Sequence, residues 1–145
     1  MEGAARRPGG IARTYALVFG LTYLAVALIE VLLGDGGLRI GDTTILELTA
    51  LQNAIHWLVG LVVLGSYFMG ERAAKMTARV IGIVFVALTI LGFVAREFTG
   101  ELLGFEGALP WSYNLVHLIT AIAALFAGFA AEKAYSSRTQ MRRAA

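Results

Sequence analysis

The chain reads as an all-α integral membrane protein, a four-helix bundle made of two helical hairpins. Three observations predict this. Apolar residues make up 58% of the 145 residues and charged residues only 15%, with a mean hydropathy of +0.73. A soluble domain of this size has too little interior to hide that much apolar surface. The apolar residues also fall into four stretches, each near the 20 or so that a helix needs to cross the hydrocarbon of a bilayer. Finally, the two halves of the chain repeat one another. The length suits one domain covering residues 1–145.

The first span runs from about Ala12 to Leu33. Arg6, Arg7 and Arg13 flank it as they would flank a secretory leader, but the apolar run is too long and no small-x-small cleavage site closes it. It is expected to remain as a membrane helix. The second span covers about Leu46 to Met69 and the third about Thr77 to Ala95. The fourth covers about Pro110 to Ala131, with Pro110 suited to a first helical turn and Trp111 to the membrane interface. Backbone groups in lipid must be satisfied within the segment, so all four are helices. Ala124-x-x-x-Gly128 and Ala127-x-x-x-Ala131 form a stripe of small residues that lets helices approach closely, expected inside the bundle rather than between protomers. Gly60 is a further close-packing position. Phe19, Tyr23, Phe85 and Phe93 read as core or lipid-facing fill. Gly34-Asp35-Gly36-Gly37 and the glycines from Gly100 to Gly107 read as turns.

Basic residues set the orientation. Arg6, Arg7 and Arg13 precede the first span, a loop with Arg72, Lys75 and Arg79 joins the second to the third, and Lys133, Arg138, Arg142 and Arg143 follow the fourth. These three regions are expected on the cytoplasmic side of the cell (inner) membrane, which makes both termini cytoplasmic. The other two loops are acidic, with Asp35, Asp42 and Glu47 in one and Glu97, Glu101 and Glu106 in the other. The tails are short and polar and are expected to lack structure, their arginines able to rest on anionic lipid.

The repeat units are about 12–72 and 78–133. Ala12-Arg13 through Phe19 aligns with Ala78-Arg79 through Phe85 at an offset of 66 residues. Asn53, His56, Glu71 and Arg72 align with Asn114, His117, Glu132 and Lys133 at an offset of 61. Each unit holds an even number of spans, so both have the same orientation. They should be related by a pseudo-twofold axis along the membrane normal, the parallel-repeat arrangement.

The repeat also writes one motif twice: Asn53-Ala54-Ile55-His56 and Asn114-Leu115-Val116-His117, with the only two histidines of the chain. At about 1.5 Å of rise per residue each histidine lies roughly 10 Å inside the outer face. Asn53-x-x-His56-x-x-Val-Gly60, the second Asn114-x-x-His117-Leu and the duplicated four-span layout together resemble the four-helix bacterial membrane proteins grouped as domain of unknown function 4383. The resemblance covers about Ala12 to Ala134 and implies a fold and a membrane location, with no activity attached. The second copy departs from the first at Ala121, where Gly60 stands.

Ionisable groups within a bilayer are costly, so the Asn-His pairs are the candidate site. Residues three apart share a helix face, which groups Asn53 with His56 and Asn114 with His117. Three readings follow. The four side chains can be polar packing groups that bond across helices and fix register, Asn53 orienting its own histidine or the one across the axis. His56 and His117 can be the axial ligands of a b-type haem housed in the bundle. They can also serve a proton-coupled transporter or channel, since imidazole titrates near neutrality. Metal binding by these two alone is weaker, because structural zinc takes four ligands. Glu30 and Arg96 occupy equivalent repeat positions and form a candidate charge pair, unless both snorkel to the interface. Turned inward, Glu30 would be a carboxylate partner for a histidine.

Other chemistry is unsupported. With no cysteine there is no disulfide, Cys-ligated zinc, iron–sulfur cluster or thiol nucleophile. No lysine completes a P-loop, and Gly-x-Ser-x-Gly and His-Glu-x-x-His do not occur. The basic tails are too short to argue for nucleic acid. The expectation is a non-enzymatic structural or accessory membrane component, with the bilayer as its partner and a homo-oligomer or larger membrane complex as its setting.

Overall fold

The structure is a computed structural model and describes residues 10–34, 38–40, 43–46 and 48–144, with side chains for 10–34 and 48–129. In order, the elements are α1 (Ile11–Leu33), β1 (Leu38–Ile40), β2 (Thr43–Leu46), α2 (Ala50–Met69), α3 (Glu71–Val94), α4 (Arg96–Leu102) and α5 (Trp111–Ala144). Four of the helices are long and apolar enough to cross a membrane: α1, α2, α3 and the 111–129 part of α5. The expected four-span helical bundle is present, and the chain is a multi-pass membrane protein.

Its surface is inverted relative to a soluble bundle. Leu28, Leu32, Leu58, Leu61, Phe68, Ile83, Ile90, Ile119, Ile122 and Phe126 point outward. The interior is made of small residues: Ala12, Ala16, Ala74, Ala78, Ala124 and Ala127 pack with Tyr15 and Val63, while Tyr23, Phe85 and Ala121 form a second cluster. Lipid is as apolar as leucine, so burying large aliphatic groups gains little and close backbone approach gains more. The reciprocal seam of α1 and α2 illustrates this. A Cβ on Gly60 would lie 2.8 Å from the Leu24 side chain, and one on Gly20 would lie 2.7 Å from the Leu64 amide nitrogen. Each helix thus inserts a leucine over the other's glycine. Across the second hairpin Leu125 of α5 covers Gly82 of α3, and Arg79 of α3 covers Gly128. The small stripe of α5 therefore packs within the bundle, with Ala124 fully buried.

α1 lies along α2 and α3 lies along α5; α1 also meets α3 and α5, and α2 meets α3. α2 and α5 scarcely touch. The bundle is thus a rhombus with α1 and α3 across its short diagonal.

The joints differ from expectation. No loop separates the second and third spans: Gly70 alone joins α2 to α3, at φ 103°. An L side chain rarely tolerates that backbone region, and glycine does. Arg72, Lys75 and Arg79, expected in a loop, therefore stand on the first turns of α3. Its first residue, Glu71, accepts hydrogen bonds from the amides of Ala12 (3.3 Å) and Arg13 (3.2 Å). These are free donors at the start of α1, where the helix dipole also favours a carboxylate.

At the other end, α2 begins at Ala50 rather than near Leu46. Thr49 and Gln52 form a reciprocal capping box, with Gln52 N–H on Thr49 Oγ1 at 3.1 Å and Thr49 N–H on Gln52 Oε1 at 3.0 Å. The residues before it, rich in β-branched side chains, pair as an antiparallel ribbon with Leu38 opposite Leu46 and Ile40 opposite Thr43. The acidic Asp35, Asp42 and Glu47 lie outside the described residues, as do Arg6 and Arg7.

A further helix, α4, follows α3 after a break at Ala95 (φ −142°, ψ 58°). It folds back so that Leu109 N–H reaches Arg96 carbonyl oxygen at 2.9 Å. The C-terminal tail, expected to lack structure, continues α5 as helix to Ala144. After Gly128 the sequence holds no glycine or proline and is rich in Ala and Arg, both good helix formers.

Candidate functional site

His56 and His117 line the same cavity, one of about 200 Å³ between α2, α3 and α5. α2 supplies Gln52, Ile55 and His56, and α5 supplies Tyr113, Val116 and His117. These are three pairs of positions at the offset of 61. α3 supplies Ile81, Val84, Phe85 and Leu88, while Tyr23 of α1 closes one side and Leu103 the top. The cavity exists because α2 and α5 stand apart. Val84, Ser112 and Val116 in its wall are exposed, so the wall reaches the molecular surface.

The two imidazoles are held differently. His56 Nδ1 lies 2.8 Å from the Gln52 carbonyl oxygen one turn earlier. A carbonyl only accepts, so Nδ1 carries the proton of the neutral ring and Nε2 keeps a free lone pair. Tyr23 stacks on this ring at 5.0 Å between centroids and 24° between planes. His117 meets the ring of Phe85 edge-on at 5.5 Å and 70°. Phe85 and Tyr23 are themselves in edge contact at 6.3 Å. An aromatic bridge of one tyrosine and one phenylalanine thus joins the two histidines. His117 Nδ1 is buried and has no hydrogen-bond partner.

The asparagines of the motif are not in the cavity wall. Asn114 is 1% exposed and its side chain lies against Gly92. Both of its polar side-chain atoms lack a partner, as does Oδ1 of Asn53. Neither asparagine orients a histidine; the Gln52 carbonyl orients His56 instead. Sequence reasoning missed Gln52, Tyr23, Phe85 and Tyr113. A signal existed for one pair, since Gln52 and Tyr113 occupy the same repeat position one turn before each histidine.

Glu30 and Arg96 each take a backbone partner. Glu30 is buried, and its Oε1 accepts the Leu48 N–H at 2.7 Å while Oε2 has no partner. Arg96 donates through Nε (3.2 Å) and Nη2 (2.9 Å) to the Leu109 carbonyl oxygen and lies 4.3 Å over the Trp111 ring. Leu48 and Leu109 are themselves equivalent at the offset of 61. The two charges therefore perform the same task at the same place in each hairpin, tying one helix end to the start of the next span.

Among the described residues no group of three His, Cys, Asp or Glu side chains could hold a metal ion. The residues present also do not fit haem. A cavity of about 150 Å³ takes one benzene, and this one is only slightly larger at about 200 Å³. A porphyrin is several times that size, and the rings of Tyr23 and Phe85 link the two imidazoles through edge and stacking contacts.

No curated protein and no solved structure gives a significant match. The family model described as domain of unknown function (DUF4383) matches residues 13–130. That segment holds the four spans apart from Ile11 and Ala12, with both histidines and the Glu30 and Arg96 contacts, and the chain belongs to this family.

Proposed function

We propose that this chain is a non-enzymatic structural or accessory component of the cell (inner) membrane, working within a homo-oligomer or a larger membrane complex. The observation that carries the reading is the use made of its charged groups. Glu30 and Arg96 fasten helix ends to Leu48 and Leu109. Glu71 caps α1, and Arg13 Nε reaches the Tyr67 carbonyl at 3.1 Å. Groups that could have done chemistry hold the bundle together.

The two hairpins are repeats about a pseudo-twofold axis. Support comes from the matched cavity positions and from the equivalent Glu30 and Arg96 contacts. Both termini are cytoplasmic, supported by Arg72, Lys75 and Arg79 at one end of α3 and Glu97, Glu101 and Glu106 beyond the other.

The test uses purified protein in liposomes. Proton flux, followed with a trapped pH-sensitive dye, should equal that of protein-free liposomes and be unchanged in His56→Ala and His117→Ala. Flux lost in those variants would replace this reading with a proton-coupled transporter. Turnover of any substrate by the pure protein would also end it.

A further inference from the structure

We propose that the cavity between α2, α3 and α5 binds a small neutral lipophile carrying a hydroxyl group, of the class of phenol. This goes beyond a structural role and would give the histidines a ligand.

Four features select that chemistry. Among the described residues no Asp, Glu, Lys or Arg lines the cavity. A charged ligand would lose its hydration and gain no opposite charge, which is strongly unfavourable. Most of the wall is aliphatic or aromatic, through Ile55, Val59, Ile81, Val84, Phe85 and Leu88. The volume of about 200 Å³ exceeds the roughly 150 Å³ that accepts benzene, so one substituted six-membered ring fits.

The polar feature is His56. Its Nδ1 proton is committed to Gln52, which leaves Nε2 as an acceptor in a mostly apolar wall whose other polar side chains are Gln52, Ser112, His117 and the two tyrosines Tyr23 and Tyr113. An acceptor in such a place is best satisfied by an O–H donor attached to an apolar body. The exposed Val84 and Val116 in the wall bring the cavity to the lipid-facing surface. The ligand therefore arrives from the bilayer, where a neutral lipophile already concentrates.

The chain holds only two histidines, so the imidazole ¹⁵N spectrum has four lines and one substitution assigns them. The experiment titrates ¹⁵N-histidine-labelled protein in detergent with phenol, and in parallel with toluene, which matches it in size but lacks the hydroxyl. Phenol should move the His56 Nε2 line saturably and bind about tenfold more tightly than toluene after correction for micelle partitioning. His56→Phe should remove that preference. Ile55→Trp, which fills the cavity and leaves His56 in place, should block both ligands and serves if His56→Phe does not fold. The proposal is overturned if phenol gives no saturable shift, if toluene binds equally well, or if Ile55→Trp binds phenol as the unsubstituted protein does.

Discussion

Asn114 shows at the residue scale how far a motif can mislead. Its spacing from His117 puts the two on one helix face, yet the amide points away from the cavity and packs on Gly92 without a partner. A buried amide without a hydrogen bond is destabilising by about 1–3 kcal/mol. Asn114→Leu, close to isosteric, should therefore keep or raise the thermal unfolding temperature in detergent. A fall would mean that the amide is bonded in the folded protein.

Arg96 makes the opposite case. Its guanidinium gives two hydrogen bonds to one carbonyl and covers an indole, a combination that an ammonium cannot reproduce. Arg96→Lys should lose most of what Arg96→Ala loses, on the order of 1–3 kcal/mol for a charge-assisted contact, as read from denaturation midpoints. Both residues were legible as special from the sequence. Their partners were not, because a backbone carbonyl leaves no trace in side-chain spacing.

Helices, at the next scale, were the most legible part of the chain, since a bilayer imposes both their length and their composition. Their ends were less so. Span two starts late because Thr49 and Gln52 close a capping box there, a local contact that competes with the hydropathy of Leu46. The expected loop after Met69 is a single glycine, because Glu71-Arg72-Ala73-Ala74-Lys75 continues as helix whatever its charge. α4 went unforeseen because hydropathy windows do not register a helix of 7 residues.

Packing at this scale gives a paired prediction. Gly20 faces the Leu64 backbone, while Gly65 has nothing within 4 Å of where its Cβ would stand. Gly20→Ala should destabilise by roughly 1–3 kcal/mol through overpacking. Gly65→Ala should be neutral or stabilising by up to about 1 kcal/mol through helix propensity. Equal effects in the two variants, measured by thermal unfolding, would mean that the α1–α2 seam is looser than these distances imply.

The whole molecule has one property that makes its topology easy to test: it contains no cysteine. Single cysteines at Ser136 and Glu106 can be labelled with no background. In intact cells, a membrane-impermeant maleimide should label Glu106→Cys and leave Ser136→Cys untouched until the membrane is opened; the reverse pattern would invert the proposed orientation. A second measurement concerns pigment. Protein made with ample haem should show no Soret band, before or after dithionite. A band lost in both His56→Ala and His117→Ala would require the cavity to open far beyond its 200 Å³. The doubled motif left open whether the two histidines meet, and they line one cavity. The size of the space between them was not legible, since it depends on how Tyr23 and Phe85 pack.

The contacts of Glu30 and Arg96 bear on how the two halves could come to differ. Had they formed an ion pair, a change of sign at one would have had to be matched at the other. Each instead grips a peptide group, and a peptide presents both an N–H and a C=O. A carboxylate takes the first and a guanidinium the second. Either sign finds a partner there, so the two positions, 66 residues apart, can change one at a time, and the cost that remains is the Oε2 of Glu30, which has no partner.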